Sequence, residues 1–187
     1  NYARWLVPAL PPSDWAPPEL LSVVADGTDA VVTWRDDGIE TIVEGSSDGT
    51  TWSELGRGTG SATVATSSYV RVHREHSDPS DAYSGSGTTW LVVDGFDRFL
   101  DGSYSMHTHD FGAVLGAALG EASGASNEAV VEGRVDLEDF DGVLWMLGDE
   151  SSADRTFTDA EQALLTAYVS GGGALVVSGA EVGYATD

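Results

Sequence analysis

The sequence predicts two folds in series: an all-β sandwich, then an α/β domain built on a doubly wound, mainly parallel sheet. Three observations point there. Between residues 19 and 86, apolar and polar residues alternate in short runs broken by DGTD, DDG and SDGT, the period-two pattern of half-buried strands joined by tight turns. From residue 88 the pattern changes to continuous apolar runs, WLVV (90–93), VLWML (143–147) and ALVV (174–177), as strands buried on both faces require. Helical periodicity fills the gaps between them.

Residues 1–18 hold five of the six prolines, and VPALPPSDWAPPEL spells a semi-rigid, extended linker. LLSVVAD, AVVTWRD, the hairpin ETIVEGSSDGTTWSELG, SATVAT, YVRVHREHS and the closing DAYS then make about seven short strands over residues 19–86. That count suits an immunoglobulin-like sandwich, with Trp34, Tyr69, Val70 and Val72 as core candidates. His73 and His76 sit at a strand end and read as surface histidines.

The second unit, 88–187, opens with WLVV. Asp110 is placed to cap a helix whose Phe111, Val114, Leu115, Ala118, Leu119 and Ala122 share a face. NEAVVEG (127–133) holds a short fourth strand. Thr158 and Glu161 form a capping box for a later helix, with Ala160, Ala163, Leu164, Ala167 and Tyr168 as its apolar face and Gly171–Gly173 as its stop. Strand, helix, strand in this order implies right-handed crossovers. Only about four strands fit before Asp187, so the sheet is expected to be incomplete and the chain a piece of a longer protein.

Composition narrows the function. Thirty-one Asp and Glu stand against eight basic residues, all arginine, for a net charge of −23. Such a surface repels phosphate backbones and anionic lipid, so nucleic acid and anionic membrane are poor partners and neither nucleic-acid binding nor membrane insertion is expected, while cations and cationic surfaces are favoured. No run is long and apolar enough to cross a membrane as a helix. Zero cysteines exclude disulfides, thiolate metal sites and a cysteine nucleophile.

Ligands of a doubly wound sheet gather beyond the carboxyl ends of its strands. There the sequence places DGFDR (94–98), GDESS (148–152) and SGAEVG (178–183). Ser178, on a small-residue turn, is the candidate nucleophile, with His107 or His109 from SMHTHDF as its base and Glu181 as a further acid–base group. His107 and His109 also have the H-x-H spacing of a metal pair, with Asp110 or Asp94 as oxygen ligand. Asp94, Asp97, Asp149 and Glu150 form an acidic rim that would accept a hard cation such as Ca²⁺; no organic cofactor is implied. Glu150 and Glu181 are the candidate carboxylate pair for glycoside chemistry.

The PPEL opening, the AVVTW strand, the EGSSDGTTWSEL hairpin and YVRVHREHSDPSDAYS resemble a fibronectin type III domain, which implies a spacer or binding platform. WLVVDGFDR, HDF, SNEAVVEGRVDLEDFDGVLWMLGDES and TFTDAEQALLTAYVSGGGALVVSGAEVG resemble the class I glutamine amidotransferase-like (flavodoxin-like) fold. The likeness is closest to a branch found beside fibronectin modules in exported bacterial proteins, some described as xanthan lyases or cell-wall amidases. That family's cysteine is missing here, Val176 and Ala180 stand where its flanking glycines belong, and no histidine follows, so glutamine hydrolysis is excluded. The resemblance implies a non-catalytic binding or scaffolding segment of a secreted or cell-surface bacterial protein acting on polysaccharide or cell wall, with the other domains of its parent chain as partners. Two alternatives stay open: a hydrolase or lyase at the carboxyl edge, and a Ca²⁺-dependent adhesion module.

Overall fold

A computed structural model describes residues 16–96, 111–148, 156–180 and 182–183. Seven strands come first: β1 (Leu20–Asp26), β2 (Asp29–Trp34), β3 (Thr41–Ser46), β4 (Ser53–Gly58), β5 (Ser61–Ala65), β6 (Ser67–His73) and β7 (Tyr83–Gly85). They form the two faces of a β-sandwich: β1, β2 and β5 on one side, β7, β6, β3 and β4 on the other, all antiparallel. Alternation drives this. In β2, Ala30, Val32 and Trp34 are buried while Asp29 and Val31 face out, and Val70 and Val72 of β6 meet them across the core. The turn between β3 and β4 is held by Asp48, whose carboxylate accepts from the Thr50 and Thr51 amides at 2.8 Å each. Those two amides, with the Ser46 hydroxyl, hold its carboxyl well below the usual range.

The chain continues with β8 (Trp90–Asp94), α1 (Phe111–Leu119), β9 (Ala122–Ser126), α2 (Asn127–Val131), a 3₁₀ turn (Leu137–Asp139), β10 (Gly142–Gly148), α3 (Asp159–Ser170) and β11 (Ala174–Gly179). β9, β8, β10 and β11 lie side by side in parallel. They do not stand apart from the sandwich. One edge of β9 pairs with β8, and the other is shared by β7, through Gly85 opposite Ser123, and β1, through Ser22 and Val23 opposite Ala125 and Gly124.

The outcome is one eleven-stranded sheet. It runs β5, β2, β1, β9, β7, β6, β3, β4 and returns towards β5 at a bridge between Thr59 and Ser61, a nearly closed, barrel-like ring from which β8, β10 and β11 extend. This corrects the expected fold class. The described residues are 43% strand and 20% helix, and the sequence's doubly wound α/β sheet is not present as a domain. The physical reason lies in β9, whose second edge is taken by sandwich strands. The parallel strands keep helices packed on them, but through β9 they run into a sheet that curls round on itself and do not form a separate domain.

Small residues make that junction close. A Cβ on Gly124 would stand 2.5 Å from Tyr83 Cβ, and one on Gly85 would stand 2.4 Å from Val23 Cγ1. Tyr83 is sealed beneath, and burial, helped by the charge of Asp94, pushes its phenol well above the ordinary value. β1 is buried on both sides for a related reason. Its register against β2 slips between Leu20 and Ser22, which makes Leu21 the extra residue of a bulge. Leu20 and Val23 therefore enter the sandwich core, whereas Leu21 and Val24 pack into a second core with Leu91, Val93, Val143, Trp145 and Tyr168.

Several local expectations change with this architecture. The fourth parallel strand is Ala122–Ser126, and Asn127–Val131 is helix, started by the Ser126 hydroxyl accepting from the Ala129 amide. α1 ends before Ala122 and buries Gly112, Ala113 and Gly116, leaving Val114 59% exposed. α3 has the expected capping box, but it buries Glu161, Leu165 and Tyr168, with Ala160, Ala163 and Ala167 exposed. Tyr69 is half-buried on the outer face of β6. ALVV is an edge strand, with Leu175 and Val177 packed and Val176 52% exposed.

Candidate functional site

Register fixes the row at the carboxyl ends of the parallel strands: Ser178 lies beside Met146, Met146 beside Asp94, and Asp94 beside Ser126. Two strand spacings of ~4.8 Å separate Ser178 from Asp94 by roughly 10 Å, beyond hydrogen-bond reach. Ser178 stands inside β11, one residue from its end. It is exposed, and no described residue bonds its hydroxyl. Asp94 is 7% exposed and its Oδ1 accepts from the Phe96 amide at 3.2 Å, so the carboxylate holds the turn that follows its own strand. His107, His109, Glu181, Asp97, Asp149 and Glu150 lie outside the described residues. Among the described residues no group of three or more His, Asp or Glu is arranged to hold a metal.

A second polar cluster lies at the ends of β9 and α3. Asn127 Nδ2 donates to Glu161 Oε1 at 2.9 Å, while Glu161 Oε2 accepts from the Thr158 amide at 2.6 Å and from its hydroxyl at 2.7 Å. Both carboxylate oxygens are engaged. This buried group ties α2 to α3 and leaves Glu161 no oxygen facing a ligand.

An open groove lies on the sandwich. It measures about 530 Å³ and is lined by Pro17, Trp52, Arg71, Asp78, Pro79 and Ser80, among others. Period two in YVRVH turns Arg71 and His73 outward from β6 because Val70 and Val72 point in. Arg71 is fixed in place: Nε donates to Glu44 Oε2 at 2.9 Å, Nη2 lies 2.8 Å from the same oxygen, and the guanidinium rests 3.9 Å from the Trp52 ring centroid. His73 Nδ1 donates to the Arg74 carbonyl at 2.9 Å, and its Nε2 is 3.7 Å from Glu44 Oε1. At the other wall, Arg74 Nη1 donates to the Ala16 carbonyl at 3.0 Å and Nη2 to the Asp37 carboxylate, which pins the strand entry where Pro17 borders the groove.

Sequence reasoning missed this site. Trp52 and Arg71 were visible only as parts of the sandwich pattern; the usable signal was an outward-facing arginine two strands from a tryptophan that directly follows a tight turn. The Asp78–Pro79 wall, from the β6–β7 connection, carries no such signal. No protein-family model, curated protein or solved structure matches the chain.

Proposed function

We propose that this chain is a non-catalytic binding and scaffolding segment of a larger exported bacterial protein that acts on polysaccharide or cell wall, its sandwich being of fibronectin type III kind. The groove beside Trp52 and Arg71 is the observation that carries the reading. Its volume falls in the range of small-ligand clefts, and its lining mixes an aromatic ring and prolines with a few fixed polar groups, the composition of a recognition surface. The rigid pairing of β1 and β9 supports the scaffolding half of the proposal, since a ligand held on the sandwich is thereby held at a fixed attitude to the parallel strands.

Co-sedimentation of the whole chain with insoluble polysaccharides and purified cell wall tests it. Retention on at least one, with no release of new reducing ends or amino groups, is the expected result. A chain that stays in the supernatant with all of them, or that cleaves one, ends the proposal.

A further inference from the structure

Resting on the reading above, we infer that the groove is built for a neutral, hydroxyl-rich sugar chain, with hydroxyls bridging Arg71 and Asp78. Arg71 engages Glu44 through Nε and Nη2, which leaves Nη1 as an uncommitted donor. The Asp78 carboxylate has no hydrogen bond or ion pair with any described residue, since only its backbone carbonyl is used, by Ser77 Oγ at 2.8 Å. A cation and an anion thus border one groove without bridging each other. A hydroxyl both donates and accepts, so neighbouring hydroxyls of one sugar satisfy the two together. Trp52, Pro17 and Pro79 supply apolar wall for the ring faces and offer few competing side-chain donors.

Charge selects among sugars. A polyuronate meets a chain of net charge −23 and the Asp78 carboxylate. A polyamine is drawn to the acidic protein everywhere, and with Arg71 already paired to Glu44 its attraction does not single out this groove. A neutral chain meets neither that repulsion nor that unselective attraction and gains only local contacts, so its binding is expected to be insensitive to salt.

The test titrates the whole chain by calorimetry with cellohexaose (neutral), hexagalacturonate (acidic) and chitosan hexamer (cationic). Two substitutions accompany it: Asp78→Ala in the groove, and Asp26→Ala on the opposite sheet with the same charge change. Asp78 is exposed, so its replacement leaves the core intact. The inference expects cellohexaose to bind, to weaken by roughly tenfold in Asp78→Ala, as the loss of one hydrogen-bonding partner to a charged group requires, and to be unchanged in Asp26→Ala. Cellohexaose binding that survives Asp78→Ala overturns the groove assignment and leaves the proposed function standing. Binding of only the acidic or the cationic hexamer overturns the ligand class. Failure to bind any of the three overturns the inference, and if polysaccharide and cell wall are also not retained, the proposed function falls with it.

Discussion

β1 and β11, LLSVVAD and ALVVSG, are both short runs built on leucine and a Val-Val pair, and the fold uses them in opposite ways. β1 is paired along both edges and feeds a core on each face. β11 pairs with β10 on one edge, packs Leu175 and Val177 inward, and leaves Val176 half in solvent. An apolar run states how much burial a segment can use. Which faces receive it depends on what the neighbours offer, and for β1 that was decided by one bulged residue and a strand about a hundred residues further along.

The comparison breaks most visibly at Leu21. Leu21→Ala removes a fully buried side chain from the second core and is expected to cost about 2–5 kcal/mol; Val23→Ala, two residues away but in the sandwich core, should cost somewhat less. Because β1 belongs to both cores, each variant should lower one shared thermal transition. Two transitions in calorimetry, each moved by one variant alone, would show that the halves melt separately.

Glu161→Ala comes next. It removes the acceptor of Asn127 Nδ2 and undoes the capping box of α3, an expected loss of about 1–3 kcal/mol read as a lower denaturant midpoint at unchanged slope.

Tyr83 sharpens the picture of the junction through pH. Its buried phenol keeps its proton to higher pH than the unfolded chain, which releases it near the ordinary value of 10.0. The stabilisation is therefore complete below that pH and declines above it, by about 1.4 kcal/mol per pH unit for this one proton. Stability profiles of the native chain and Tyr83→Phe should run parallel below pH 10 and separate above it. A variant whose profile stays parallel throughout removes Tyr83 as the cause.

The smallest effect is expected on β11. Val176→Lys places a charge on a half-exposed edge residue and should change stability by no more than about 0.5 kcal/mol. A loss comparable to Leu21→Ala would mean that β11 is covered like β1.

What was legible in the sequence follows the same division. The sandwich strands were readable because alternation reports a single buried face, as in Ala30, Val32 and Trp34. The capping box of Thr158 and Glu161 was readable because its chemistry is local. β9 was not, since ASGAS is made of small residues chosen for close approach, and it carries neither an apolar run nor a helical stripe. The error in fold class follows from that strand, because the ring closes through its second edge. Of the expected site, Asp94 and Ser178 fall in one row but a strand apart, and the remaining candidates lie outside the described residues. The groove was half visible, in the outward side of YVRVH, whereas Asp78 reaches it only through the path of a loop.

The double pairing of β1 also has a mechanical side. A pull on the chain from the direction of Ala16 first meets the guanidinium of Arg74, which grips that carbonyl. Behind it stands β1, hydrogen-bonded to β2 along its length and to β9 at Ser22 and Val23. A strand held on both edges in this manner resists a load at its N-terminal end better than one paired along a single edge.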